Sequence, residues 1–162
     1  MRILRAFPAL VLVCACFAAA QDEKYTGPHP PKPDIPYLML ADSLVQTEVG
    51  EASEQQKGKN EVAYVIKGAA SPARTPLAEP IFLLDSEKLS PESLQLYRLE
   101  VKNGNREVVM SKKRGAKQLR LTVTRVDTRL YRIDVDEGLG LENGEYSLSP
   151  TGANTVFCFA VY

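Results

Sequence analysis

The side chains that carry out most hydrolytic chemistry are scarce in this sequence of 162 residues. His29 is the only histidine, and it lies in a run of prolines. A Ser-His-Asp triad or a Cys-His pair needs a histidine that is held rigidly against a nucleophile, and a proline-rich segment does not supply that. No glycine-rich phosphate loop follows a hydrophobic run. We therefore predict no catalytic residue and no cofactor.

Carboxylates are the remaining groups that could do chemistry, and five of them cluster around Gly138 and Gly140. They are Asp134, Asp136, Glu137, Glu142 and Glu145. An EF-hand calcium loop needs glycine at its sixth position, where counting from Asp134 gives Leu139. We therefore interpret the segment as an acidic loop after a strand, without a metal. A carbohydrate-active enzyme that uses acidic residues is an alternative, but it needs two carboxylates facing each other in a cleft.

A second charged segment is basic. Eight lysines and arginines lie between residues 112 and 132, against the single acid Asp127. They are Lys112, Lys113, Arg114, Lys117, Arg120, Arg125, Arg129 and Arg132. On one face they could bind an acidic protein or an anionic polysaccharide; the alternative is a solvated hairpin without a partner. The whole chain has a formal net charge of zero, so we do not expect it to bind nucleic acid.

The C-terminal segment, residues 155–162, is apolar on both alternating faces. This pattern predicts a central strand that is buried on both sides. Cys158 then packs as a small apolar residue, and a reactive or intermolecular thiol is the alternative. The ending from Gly152 to Tyr162 also resembles that of pilin-like subunits, so a structural subunit that assembles through a β-strand is a further alternative.

The N-terminal segment has the composition of a secretory signal peptide. Arg2 and Arg5 precede an uncharged apolar stretch, and alanines at 18–20 suit a signal peptidase, so we predict cleavage before Gln21. We expect export to the periplasm or the extracellular space, with no transmembrane segment, because the apolar stretch is shorter than the roughly 20 residues of a spanning helix. A lipoprotein anchored at Cys16 is the alternative.

Cleavage would remove two of the three cysteines and leave Cys158 alone. The exported chain then has no internal disulfide and no zinc site of the usual composition. Residues 21–36 follow the cleavage site and include five prolines. They predict an extended arm that acts as a spacer, the alternative being a docking segment for an aromatic-lined groove.

From residue 37 onward the apolar residues repeat with a period of two in short segments, which is typical of β-strands. We predict strands near residues 37–40, 44–51, 61–67, 81–84, 94–102, 106–111, 118–126, 130–135, 145–149 and 155–162. Asn103-Gly104 and Asn143-Gly144 predict tight hairpin turns. The polar segment 51–60 predicts the exposed tip of a long hairpin, and Ser90-Pro91 predicts one or two helical turns.

Three segments carry a family resemblance: the run from Tyr25 to Leu38, the run from Gly68 to Pro76, and the ending from Glu142 to Phe159. Together they resemble a group of small bacterial secreted β-rich proteins. The resemblance implies bacterial export and adds no catalytic residue.

The sequence therefore predicts three parts, which are a signal peptide (1–20), a proline-rich arm (21–36) and one antiparallel β-sandwich domain (37–162). An immunoglobulin-like topology is the finer expectation for the sandwich. As function we expect a non-enzymatic exported binding or assembly module of the bacterial envelope or extracellular space.

Overall fold

The computed structural model describes residues 25–41, 43–136, 138 and 140–162. The predicted signal peptide, with Cys14 and Cys16, lies outside these residues. The strands are β1 (Tyr37–Leu40), β2 (Ser43–Gln46), β3 (Glu48–Glu51), β4 (Ser53–Gly58), β5 (Glu61–Lys67), β6 (Arg74–Thr75), β7 (Ile81–Asp85), β8 (Leu94–Lys102), β9 (Asn105–Ser111), β10 (Leu121–Arg125), β11 (Leu130–Val135), β12 (Gly144–Pro150) and β13 (Thr155–Val161). The helical turn predicted after Ser90 is a 3-10 helix, Pro91–Ser93. Within the described residues, no helix is long and apolar enough to cross a membrane.

The strands form two antiparallel sheets that pack together, which confirms the predicted all-β, sandwich-like fold. The smaller sheet has the strand order β10-β11-β7-β1-β2. The larger sheet has the order β3-β13-β12-β8-β9-β5-β4, and the short β6 adds to β13 in parallel. The C-terminal strand β13 lies between β12 and β3 and is buried from Val156 to Val161, as its apolar pattern predicts.

The larger sheet curls back on itself. Its two end strands, β3 and β4, are consecutive in the chain and are separated only by Ala52. β3 pairs with β13 while β4 pairs with β5, so one continuous segment of chain connects the two ends of the strand order. This curl gives the larger sheet an inner face as well as an outer face, and side chains alternate between the two.

Each face of the larger sheet has its own hydrophobic cluster. The outer face packs against the smaller sheet around Phe82, Leu96, Leu148 and Phe159, and the rings of Phe82 and Phe159 meet edge to face at 5.0 Å between centroids. The inner face holds a second cluster, formed by Ala52, Ile66, Leu99, Val156 and Cys158. The inside of the curl is therefore a separate compartment from the sandwich core.

The predicted strand 44–51 is divided between the two sheets. It ends as β2 at Gln46 and resumes as β3 at Glu48. Between them, the buried Thr47 donates from its backbone N–H and from Oγ1 to the carbonyl oxygen of Pro36, at 3.3 and 2.7 Å. The alternating pattern continues across this crossing, so the pattern alone does not reveal it.

The structure corrects two turn predictions. Residues 51–60 are exposed as predicted, apart from the buried Ala52, but only Lys59 and Asn60 form a hairpin tip, because residues 53–58 are the strand β4 and pair with β5. All six residues of β4 are exposed, and an edge strand that buries no side chain shows no hydrophobic alternation. Asn143-Gly144 is not a hairpin turn, since Gly144 begins β12 in the larger sheet while the preceding strand, β11, lies in the smaller one.

The described part of the proline-rich segment contacts the domain. Pro30 and Pro36 are buried. Asp34 adopts a positive φ of 59° and accepts three hydrogen bonds, from the backbone N–H groups of Glu87, Lys88 and Leu89, at 2.8–2.9 Å. These bonds hold residue 34 against the loop that follows β7.

Candidate ligand-binding site

One end of the curled sheet is closed by a buried arginine. Arg106 on β9 is fully buried, and its guanidinium donates to both carboxylate oxygens of Glu48 on β3, at 2.7 and 2.9 Å. It also donates to the carbonyl oxygens of Gly68 and Lys67, at 2.9 and 3.0 Å, and lies 3.6 Å from the carboxylate of Glu145 on β12. Because these acceptors come from three parts of the sheet, Arg106 ties its walls together.

The charges at this end are compensated locally. Burial opposes ionisation of Glu48, but the hydrogen bonds and charge of Arg106 outweigh it and lower the pKa of Glu48. Burial likewise opposes the charge of Arg106, and Glu48 outweighs it and raises the pKa of Arg106. Burial also raises the pKa of the neighbouring Cys158 to about 12. Cys158 is therefore a buried neutral thiol, as its position in an apolar strand predicts.

The opposite end of the curl opens into a cavity of about 340 Å³, which we call the cup. The strand register leads from the closed end to the cup: Arg106 lies opposite Ile66, and the next inward residue of β9, Val108, lies opposite Tyr64. The cup is lined by Ala52, Tyr64, Ile66, Gln95, Tyr97, Val108, Met110, Ser147, Ser149, residues 150–154 and Val156.

The lining of the cup divides into an apolar floor and a polar wall. Ile66, Val108 and Val156 form the floor, and they belong to or pack against the cluster inside the curl. The polar wall comes from β8 and β12, where Tyr97 lies opposite Ser147 and Gln95 lies opposite Ser149. The described residues that line the cup include no acidic, basic or histidine side chain. The described lining of the cup therefore combines hydrogen-bonding groups with apolar surface.

The mouth of the cup is held in place at both ends of the turn 150–154. Thr151 donates from its backbone N–H and from Oγ1 to the carbonyl oxygen of Ser93, at 2.9 and 3.0 Å. The backbone N–H of Ala52 donates to the carbonyl oxygen of Asn154 at 2.8 Å. Gly152 lies between these anchors with a φ of 77°, a conformation that favours glycine.

The chain that joins the two sheets contacts the polar wall of the cup from outside its lining. β8 and β9 pair over residues 100–102 and 105–107 and then diverge. In the wedge that opens, the backbone N–H of Leu119 donates to the carbonyl oxygen of Leu96 at 2.9 Å. The adjacent Gln118 donates from its side-chain amide to the hydroxyl of Tyr97 at 3.0 Å. The connection 112–120 therefore supports the polar wall.

The eight basic residues of the predicted partner-binding face fall into two groups. Lys112, Lys113, Arg114 and Lys117 lie in the connection after β9, and Arg120, Arg125, Arg129 and Arg132 lie before, on or around the hairpin of β10 and β11. Three arginines of the second group bind groups of the protein itself. Arg129 binds Asp85 and Glu87, Arg132 binds Asp134, and Arg125 donates to backbone carbonyls of its own turn. Within the described residues, no ion pair involves the basic residues of the connection.

The acidic residues 134–145 do not converge on one point. Asp134 binds Arg132, Asp136 accepts a hydrogen bond from Thr122 at 2.8 Å, and Glu145 accepts one from the backbone N–H of Ser71 at 2.9 Å. Glu142 forms an ion pair with Arg98. Glu137 lies outside the described residues, and those described contain no group of three or more acidic, histidine or cysteine side chains placed to hold a metal ion.

A larger hollow of about 560 Å³ lies on the outer face of β8 and β9 and includes three glutamates. Glu107 is buried and lies 3.1 Å from Lys57, and the hydrogen bond from Arg98 lowers the pKa of Glu142. A glycosidase needs a general acid with a raised pKa, whereas the pKa of Glu142 is lowered. We therefore take the cup, and not this hollow, as the candidate site.

The sequence interpretation missed the cup. One signal for it is present in β12, where Glu145, Ser147 and Ser149 form a polar face that alternates with Tyr146 and Leu148. The alternation alone does not show that this face is the inner face of a curled sheet. Comparison of the chain with protein-family models, with curated proteins and with solved structures finds no match.

Proposed function

We propose that this chain is a non-enzymatic exported binding protein that holds a small uncharged molecule in the cup. The observation that carries the proposal is the cup itself, a cavity of about 340 Å³ with an apolar floor and an uncharged polar wall. Small-molecule sites are typically cavities of roughly 300–1,000 Å³, mostly apolar, with a few polar groups that orient the ligand. The lining of the cup has this composition.

The same lining supports a binding role over an enzymatic one. Hydrolysis and proton transfer need a side chain whose pKa lies near the working pH, or a nucleophile activated by a base. The hydroxyls of Ser147 and Ser149 hydrogen-bond each other at 3.2 Å, and among the part of the chain that the structure describes, no histidine, lysine or carboxylate lines the cup beside them. The two serines are therefore better placed to orient a ligand than to attack one.

Export to the bacterial periplasm or the extracellular space is part of the proposal. It rests on the basic, apolar and small-residue segments of the first 20 residues. Mass spectrometry of the protein recovered from a bacterial host tests it, because cleavage gives a chain that begins at Gln21. A mature chain that begins at Cys16 and carries acyl groups would show the lipoprotein instead.

Titration with an uncharged fluorescent probe tests the binding site. The probe 6-propionyl-2-(dimethylamino)naphthalene (Prodan) has an apolar body and one carbonyl group. Val108→Phe adds a ring on the inner face of β9, whereas Val109→Phe makes the same change one residue along, where the side chain is 40% exposed. We expect saturable binding that Val108→Phe weakens about tenfold or more and Val109→Phe leaves nearly unchanged. Equal effects of the two substitutions, or no saturable binding, would refute the proposal.

A second candidate function is contact with an anionic polysaccharide through the connection after β9. Lys112, Lys113, Arg114 and Lys117 are exposed there, and a cluster of one sign attracts a polyanion. Co-sedimentation with polygalacturonate tests this role. The double substitution Lys112→Glu/Lys113→Glu should abolish retention, while Lys88→Glu, an exposed lysine after β7, should not. Retention that survives the double substitution would exclude this surface.

A further inference from the structure

The polar wall of the cup contains a directed chain of hydrogen bonds. The side-chain amide nitrogen of Gln118 lies 3.0 Å from the hydroxyl oxygen of Tyr97. That hydroxyl lies 2.6 Å from the side-chain carbonyl oxygen of Gln95. An amide nitrogen can only donate, so the Tyr97 oxygen accepts from Gln118 and its single proton goes to Gln95.

This chain sets the orientation of the Gln95 amide relative to that of the Gln118 amide. Its carbonyl oxygen is taken up by the hydroxyl of Tyr97. Its NH₂ group has no hydrogen-bond partner among the described residues, and Gln95 is a half-buried residue of the cup lining. The amide therefore has two unpaired N–H donors on a residue that lines the cup, and turning it over alone would place NH₂ against a hydroxyl proton.

The serine pair on the neighbouring strand β12 adds a further hydrogen-bond donor to the polar wall. Ser147 and Ser149 share one hydrogen bond, so one hydroxyl proton is used and the other is available to a ligand. Ser149 lies directly opposite Gln95 in the strand register. The donors on the two strands therefore lie on one side of the cup, above the apolar floor.

We propose that the cup selects uncharged ligands that carry a hydrogen-bond-acceptor oxygen, such as a ketone, ester or amide carbonyl, on an apolar body. This inference rests on the proposed function and specifies its ligand class. Gln95 contacts the acceptor oxygen, and Tyr97 and Gln118 are positioning residues that keep its NH₂ group directed at the ligand. A ligand without the oxygen leaves these donors desolvated and unpaired, which disfavours binding.

Two related probes separate this inference from the proposed function. Prodan carries the acceptor carbonyl, and 2-(dimethylamino)naphthalene has the same apolar ring system without it. We expect Gln95→Leu to weaken Prodan binding about fivefold, the value of one hydrogen bond in a partly buried site, and to leave binding of the second probe unchanged or stronger. Gln55→Leu, on the exposed strand β4, is the matched control and should change neither.

Substitution of Gln118 tests the positioning chain without changing a residue of the cup lining, because Gln118 is exposed and lies outside that lining. Gln118→Leu removes the donor to Tyr97, so the hydroxyl can accept from Gln95 and the amide can turn over. We expect a loss of about threefold for Prodan, together with an emission shift to shorter wavelength as the carbonyl loses its hydrogen bond. Such a spectral shift is not expected from a merely structural role.

The outcomes are distinguishable. If both probes bind the unsubstituted protein and Gln95→Leu and Gln118→Leu leave the ratio of their affinities unchanged, the acceptor selectivity is refuted and the proposed function stands. If neither probe binds the unsubstituted protein, the proposed function fails, and the selectivity fails with it.

Discussion

Removal of the Arg106 guanidinium should destabilise the domain more than any exposed charge change. Arg106→Met keeps the length and apolar stem of the side chain but deletes a cation that is fully buried. The carboxylates of Glu48 and Glu145, whose side chains are only 25% and 12% exposed, then lose their counter-charge. The carbonyl oxygens of Lys67 and Gly68 lose a donor as well.

The size of the effect follows from these contacts. Breaking a buried ion pair by removing one partner costs about 3–5 kcal/mol, against a total stability of roughly 5–15 kcal/mol for an ordinary domain. In urea, with a slope of about 2 kcal/mol per molar, the unfolding midpoint should fall by roughly 2 M. Adding Glu48→Gln to Arg106→Met should cost less than the sum of the single substitutions, by about 2 kcal/mol, since the two residues act on each other directly.

Equilibrium unfolding in urea, followed by circular dichroism, measures these changes. Arg98→Met is the control, because Arg98 pairs with the exposed Glu142 on the protein surface, and exposed pairs contribute little. If Arg106→Met lowers the midpoint no more than Arg98→Met does, Arg106 does not tie the walls of the curl together. Additive effects of Arg106→Met and Glu48→Gln would contradict their coupling.

Three further outcomes are expected. Stability should fall as the pH drops below about 4.5, because the pKa values of Asp34 and Glu48 are lowered in the folded protein, so the unfolded chain takes up protons on these groups first. Urea unfolding midpoints measured at about pH 7, 5 and 3.5 check this prediction. Glu48→Gln should make the midpoint depend less on pH. The thiol of Cys158, buried with its pKa raised to about 12, should react with a thiol reagent only after unfolding; rapid reaction of the native protein would contradict its burial. A chain that lacks residues 156–162 should show no cooperative thermal transition, since these residues pair with three strands and contribute to both clusters. A retained transition would exclude a core role for β13.

The sequence predicts the fold class well because most strands are half-buried. β8 and β13 carry long alternating or continuous apolar runs, and the structure places them in the interior of the larger sheet. The sequence does not predict β4, because this strand lacks a buried face. It buries no side chain and is a strand only through its backbone hydrogen bonds to β5. Backbone hydrogen bonds do not require apolar residues at alternate positions, so the sequence shows no strand pattern there.

The candidate site could not be predicted in the same way. Arg106 shares an alternating face with Val108 and Met110, and a cation that is buried on such a face needs a hydrogen-bonded partner of opposite charge. That partner, Glu48, lies 58 residues away, and only the curl of the sheet brings the two together. Gln95 and Gln118 likewise meet through Tyr97 because β8 and β9 diverge, a feature of topology with no local signature in the sequence.

Methyl NMR during a Prodan titration tests the central claim most directly. Ile66, Val108 and Val156 have methyl groups in the cup, whereas Val49 and Val109 are exposed valines outside its lining, on β3 and β9. We expect the methyl signals of the first three to shift in proportion to the bound fraction and those of the two exposed valines to stay in place. Shifts confined to Val49 and Val109, or to residues of the connection 112–120, would contradict a ligand site inside the curled sheet.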